Sequence, residues 1–249
     1  MEDYLACVRV AKRFGGVTAL NGLDFSVRPR EILGLIGPNG SGKTTLFNVI
    51  SGLIRPEEGR VIFRGREITR LASHAICRLG IARTYQIVRP FLSLSVLDNV
   101  IVAATYGRGH ETRVRQARSE AERWLEFTGL ADRAAAMPGQ IPLVEQKRLE
   151  LTRALATQPE LLLLDEVMGG LNPTEVDACL AMIRRIRDEL GITIVIVEHV
   201  MRAVMGVSER VVVLSYGERI ADGKPADVVS DSRVIEAYLG EDYAQALGR

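Results

Sequence analysis

Cysteine, aromatic residues and long apolar runs are all scarce in this 249-residue chain. The three cysteines, Cys7, Cys77 and Cys179, are scattered and odd in number, which excludes a disulfide framework and suits a reducing compartment. No metal-ligand spacing links them to the three histidines, His74, His110 and His199. The longest apolar runs, at 161–164, 194–197 and 211–214, fall far short of the roughly 20 residues that a membrane-crossing helix needs. No basic-then-apolar leader stands at the start, where Glu2 and Asp3 are acidic. The chain is therefore expected to be soluble and not exported, and to serve a membrane only as a peripheral subunit. Charge of either sign is not in excess: 32 Lys and Arg face 31 Asp and Glu. Bulk charge thus gives no reason to expect a nucleic-acid partner.

A hydrophobic content of 47% is ample for a packed core, and 25% charged residues argue against disorder. Residues 5–10 and 23–27 alternate as strands, and Pro29-Arg30 marks a turn before a further strand, Glu31-Ile32-Leu33-Gly34-Leu35-Ile36. Further short strands are expected at 59–63 and 81–84. The middle of the chain changes to helical spacing at 96–105 and 113–128. There Val114, Ala117, Ala121, Trp124, Leu125 and Thr128 share a face opposite Arg115, Arg118, Glu122 and Arg123. Trp124 reads as a core anchor. After Pro159 the strands return at 161–164, 193–197, 211–214 and 219–221, with helices at 174–189, 200–205 and 232–239. Continuous apolar strands alternating with helices predict an α/β fold with a mostly parallel sheet.

Two segments carry chemistry. Gly37-Pro38-Asn39-Gly40-Ser41-Gly42-Lys43-Thr44 fits G-x-x-x-x-G-K-[ST], directly after an apolar strand and before a helix, with Thr45 next in line. Glycines let successive N–H groups and the helix N-terminus surround phosphate oxygens. Lys43 supplies a compact charge for the β- and γ-phosphates, and Thr44 a hydroxyl for Mg²⁺. The second segment is the apolar strand that ends in Asp165-Glu166. Acids at the carboxyl end of such a strand sit where open α/β sheets place ligands. Asp165 would join the magnesium shell, and Glu166 would accept a proton from an attacking water. Together they describe a nucleotide triphosphatase.

These residues resemble the ATP-binding cassette (ABC) ATPases, and the resemblance covers nearly the whole chain. It also rests on Arg83-Thr84-Tyr85-Gln86, on Ile196-Val197-Glu198-His199, and on Phe14 within Lys12-Arg13-Phe14-Gly15-Gly16. The resemblance implies a P-loop NTPase core with an N-terminal antiparallel β subdomain and an inserted helical subdomain. Residues 1–86 and 158–249 would form the ATP-binding core, and 87–157 the helical insertion. It further implies that Phe14 stacks on adenine, that Gln86 reaches the metal or the lytic water, and that His199 bonds the γ-phosphate. Within the family, Gly169-Gly170-Leu171-Asn172-Pro173 and the ending Ile235-Glu236-Ala237-Tyr238-Leu239-Gly240 look like the branched-chain amino-acid importers. Lipopolysaccharide-export ATPases look similar, and a non-transport ABC ATPase is a further alternative.

One segment departs from the family pattern. The signature loop, normally Leu-Ser-Gly-Gly-Gln, here reads Ile141-Pro142-Leu143-Val144-Glu145 before the helix at 146–155. In the family that loop bonds the ATP of a dimer partner. Pro142 offers neither hydroxyl nor N–H, and Val144 places a branched side chain where close approach is wanted. The expected assembly is therefore a heterodimer with a sister ABC ATPase that brings a better signature. Two transmembrane permease subunits and, indirectly, a substrate-binding protein complete it, with the chain peripheral on the cytoplasmic face of the membrane. Residues 85–97 and the helical insertion are the expected docking groove for a permease helix.

Overall fold

A computed structural model describes residues 3–108, 114–199 and 201–238. His110, Arg113, Val200, Leu239 and Gly240 lie outside the described residues. In chain order the strands are β1 (Leu5–Phe14), β2 (Val17–Val27), β3 (Ile32–Ile36), β4 (Glu58–Phe63), β5 (Arg66–Glu67), β6 (Ile81–Arg83), β7 (Leu161–Asp165), β8 (Thr193–Val197), β9 (Arg210–Ser215) and β10 (Glu218–Gly223). The helices are α1 (Lys43–Ile50), α2 (Ser73–Leu79), α3 (Val96–Tyr106), α4 (Val114–Thr128), α5 (Leu143–Ala156), α6 (Pro173–Leu190), α7 (Met201–Val207) and α8 (Pro225–Val229). Residues 232–238 are also helical. The chain divides into two units, one drawn from Met1–Ala72 and Thr193–Arg249, the other from Ser73–Ile192.

In the first unit an antiparallel sheet runs in the order β2-β1-β4-β5. The strand alternation expected to stop at Val10 continues to Phe14, through register shifts that carry Lys12 and Arg13 along β2. Gly15, at φ 58, closes this hairpin and leaves Phe14 at the strand's end, opposite Val17. The parallel layer is built on β3, which pairs with β8 on one side and β9 on the other, and β10 closes antiparallel on β9. Every residue of β3, β8 and β9 is buried, as expected for strands covered on both faces. At the start of β9 the buried Arg210 meets Glu31 at 2.8 Å, Asp222 at 2.9 Å and the Ser26 carbonyl at 2.7 Å. These partners offset the desolvation of a buried guanidinium.

In the second unit β6 and β7 pair in parallel, with Ile81 opposite Leu161. The described part of 87–157 holds α3, α4, α5 and two short 3-10 turns, with no strand. Ser95 caps α3 by accepting from the Asp98 N–H at 3.0 Å. The buried Asn99 donates to the carbonyls of Phe91, Leu94 and Ser95 and accepts from the Phe91 N–H, which folds this turn onto the helix. Trp124 is a core residue, edge-on to Phe127, and the Thr128 and Thr152 hydroxyls join α4 to α5 at 2.8 Å. A reciprocal capping box between Asn172 and Glu175 starts α6, and Gly191 at φ 68 ends it. Helix α2 has no apolar stripe to announce it, because only Ile76 in it is buried.

Candidate functional site

The candidate residues fall into two sets, one in each unit. The first begins where β3 runs out at Ile36 and the chain turns into α1. Gly37 has φ 151, and a Cβ there would lie 2.1 Å from the Leu214 carbonyl oxygen. Gly42, at φ 106, is the N-cap of α1, and a Cβ there would lie 2.5 Å from the Ala19 oxygen. Only glycine fits either place. Gly42 has no side chain to cap the helix, so the first N–H groups of α1 face an incoming anion. The Lys43 ammonium is buried and donates to the Gly37 carbonyl at 2.7 Å, to the Pro38 carbonyl at 2.8 Å and to Ser41 Oγ at 3.3 Å. Its charge is thus fixed over the loop. Asn39, Gly40 and Thr44 are exposed, Ser41 is buried, and Thr45 is half-buried.

His199 is exposed, two residues beyond the end of β8. Phe14 is 50% exposed, with Lys12 Nζ 5.4 Å from its ring centroid, so it is not a core phenylalanine.

The second set is delivered by β7. Asp165 is buried, and its Oδ2 meets Arg83 at 2.6 Å, while its N–H donates to Thr84 Oγ1 at 3.1 Å. Its Oδ1 is buried without a hydrogen-bond partner among the described residues. An orphaned carboxylate oxygen is costly unless something else uses it. A magnesium ion takes one or two carboxylates and completes its shell with water and phosphate, so the residues present fit one.

Glu166 follows in the left-handed region at φ 50, a conformation that strains a residue with a side chain. Gln86 Nε2 donates to Glu166 Oε2 at 2.5 Å, so the structure brings these two candidates together. The Glu166 carbonyl accepts from Lys147 Nζ at 3.2 Å.

The altered signature stands at the start of α5. Pro142 is the N-cap and gives no side-chain bond; its carbonyl accepts from the Gln146 N–H at 2.9 Å. Leu143 is exposed, Val144 is half-buried, and Glu145 is held by Arg133 at 2.9 Å. Upstream, Tyr85, Ile87, Phe91 and Leu92 are exposed apolar side chains within one short segment between β6 and α3.

Two functional neighbours escape the sequence. Arg83 opens the motif that ends in Gln86, but nothing local assigns it a partner, and it holds Asp165. Glu150 is a buried carboxylate that accepts from the Tyr85 N–H at 2.9 Å and the Arg89 N–H at 3.0 Å. Its only sequence signal is a lone acid between Leu149 and Leu151.

Residues 20–169, which hold Lys43, Gln86, Asp165 and Glu166, match the ABC transporter family. The chain belongs to it. It is an ATP-hydrolysing, nucleotide-binding cassette of the ABC ATPases. Residues 218–244 of the cassette match a second family, the branched-chain amino acid ATP-binding cassette transporter. The cassette is 39% identical to the high-affinity branched-chain amino acid transport ATP-binding protein LivG of Salmonella typhimurium, over 96% of this chain and 99% of that one. It is 38% identical to BraF of Pseudomonas aeruginosa, named in the same words, over 92% and 94%.

Among solved structures, it resembles MJ1267, an ATP-binding cassette of an ABC transporter. The TM-score is 0.87 at 29% identity, over 96% of this chain and 99% of that one. The ADP conformation of MJ1267 gives 0.86 at 30% identity, over 96% and 100%. The dimeric ABC transporter cassette MJ0796 gives 0.80 at 26% identity, over 89% and 98%. The α/β class expected from the strand and helix pattern holds. Among the described residues no helix is long and apolar enough to cross a membrane.

Proposed function

We propose that this cassette energises the import of branched-chain or related amino acids or amides. The carrying observation is its 39% identity, over 96% of its length, to a transport ATP-binding protein for branched-chain amino acids. The match of residues 218–244 to the branched-chain family supports the same reading.

In this reading residues 1–86 and 158–249 form the ATP-binding core, and 87–157 the helical insertion. Phe14 stacks on adenine, while residues 37–45 and the N-terminus of α1 hold the phosphates, with Lys43 on the β- and γ-oxygens. Thr44, Asp165 and Gln86 would hold Mg²⁺, which when bound would supply positive charge against the phosphates. Glu166 accepts a proton from the attacking water as its oxygen bonds to the γ-phosphorus and the bond to the bridging β–γ oxygen breaks. His199 bonds the γ-phosphate.

The signature is where the cassette depends on others. Pro142, Leu143, Val144 and Glu145 supply no hydroxyl and no glycine N–H to a partner's ATP, so we assign the cassette to a heterodimer with a sister ATPase. The resemblance to a dimeric cassette supports a dimer. The exposed segment Tyr85, Ile87, Phe91 and Leu92 would dock a helix of one of two permeases, on the cytoplasmic face of the membrane. A substrate-binding protein would act through those permeases.

The test is ATPase activity of this chain alone and with the sister subunit, with Glu166→Gln placed in either. The mixed pair is expected to exceed the lone chain about tenfold or more, and to lose most activity when this chain carries the substitution. Full activity in the lone chain would end the heterodimer reading. Permease-containing vesicles that take up leucine without ATP would end the import reading.

A further inference from the structure

Helix α5 carries more than the signature. Lys147, Glu150 and Arg153 are spaced by three and so share one face of the helix. Each of the three bonds backbone of another segment in the same unit. Lys147 Nζ donates to the carbonyl of Glu166 at 3.2 Å. The Glu150 oxygens accept the N–H groups of Tyr85 and Arg89 at 2.9 and 3.0 Å. Arg153 Nη1 donates to the Arg89 carbonyl at 2.9 Å, and its guanidinium lies 4.9 Å from the Phe91 ring centroid.

These bonds close a circuit. From α5 it runs through Glu150 to Tyr85, along the chain to Gln86, across the 2.5 Å bond to Glu166, and back through Lys147 to α5. Gln86 lies inside the stretch that Glu150 pins at both ends. A carboxylate that is only 7% exposed and takes two backbone donors is a firm anchor, because its charge, withdrawn from water, depends on those N–H groups. Glu166 is in turn held at its side chain by Gln86 and at its carbonyl by Lys147, in a backbone conformation that would not persist unsupported.

We propose that Lys147, Glu150 and Arg153 are positioning residues that fix the Gln86–Glu166 pair to the signature helix. A displacement of α5 then carries the catalytic carboxylate with it. Arg153 extends the same link to Phe91 in the exposed apolar segment. One stripe on one helix thereby connects the segment expected to meet the membrane subunits with the group expected to handle water. The inference rests on the ATPase reading of Glu166 given above.

The experiment compares Glu150→Gln, Lys147→Met and the double variant with the unaltered full chain, assembled with its sister subunit. Steady-state ATP hydrolysis and amide hydrogen exchange are both read. Glu150→Gln keeps the shape but sets an amide donor against one of the two N–H groups. Exchange at Tyr85 and Arg89 should quicken about tenfold, the factor expected from losing one hydrogen bond to a charged group. The kcat should fall about tenfold with KM for ATP within twofold, because the phosphate loop is untouched. Lys147→Met should lower kcat similarly without loosening those amides. The double variant should be scarcely worse than either single, since both open the same circuit.

Multiplying losses would mean two independent effects and overturn the proposal. So would wild-type kcat in Glu150→Gln, or exchange that quickens across all of 73–192 with kcat and KM changing together. If Glu150→Gln does not fold, Lys147→Met and Arg153→Gln carry the test through the same kcat-against-KM split. An unaltered complex that hydrolyses no ATP would sink the ATPase reading instead, and the exchange data would still judge the circuit.

Discussion

Two loops in this cassette lead into the N-terminus of a helix, and they differ in almost every residue that matters to a phosphate. Residues 37–42 enter α1 with three glycines in left-handed or otherwise restricted conformations, a fixed ammonium and no capping side chain in the way. Residues 141–145 enter α5 with no glycine, with a proline as N-cap, and with Leu143 exposed. Both keep the helix dipole, so both retain some attraction for an anion. Only the first adds backbone donors that can close on one. The difference teaches that a helix start is a weak phosphate site until glycine brings the backbone close and a lysine sets the charge. On the proposed dimer it also separates what this chain does for its own nucleotide from what it offers a partner's.

The sharpest way to break the comparison is Lys43→Ala. It should lower kcat/KM for ATP by about 10³, in the range for losing a preorganised charge at a reacting phosphate. Undiminished hydrolysis would mean that the first loop is not the working site. Next comes repair of the second loop with Pro142→Ser and Val144→Gly together. Restored donors should raise the hydrolysis rate of the lone chain about tenfold; an unchanged rate would show that the altered loop already docks adequately. The smallest effect is expected from Arg133→Gln, which frees Glu145 at the helix start. An exposed ion pair is worth about 1 kcal/mol or less, so the Tm should fall by less than about 3 °C with kcat unmoved. A large fall in kcat would instead give Glu145 a direct part in the partner's site.

What could be read from the sequence follows the range of the interactions. The phosphate loop is legible because its glycines, lysine and threonine act within eight consecutive residues, between an apolar strand and a helix. Asp165 and Glu166 are legible because a buried strand ends on them. The continuous burial of β3, β8 and the apolar stretch 211–214 of β9 is written in their composition. Arg83, Glu150 and Arg210 are not, because their partners lie 82, 65 and 179 positions away in the chain. Nothing in the local pattern separates a buried arginine from an exposed one. The full length of β1 is hidden in the sequence for a related reason. Beyond Val10 its pairing is decided by β2 and by register shifts, while its own residues turn polar.

Glu166 shows what happens when the demands on one residue diverge. Its left-handed backbone costs a side-chain-bearing residue about 1–2 kcal/mol, which glycine would avoid. Glycine's extra freedom in the unfolded chain costs about 0.5–1 kcal/mol in return. On folding alone, then, Glu166→Gly is close to neutral. A library of variants sorted for heat resistance or expression would let this carboxylate drift away unnoticed, and on the role proposed for Glu166 the survivors would be well-folded chains that bind nucleotide and cannot turn it over. Only a selection read through turnover can see position 166.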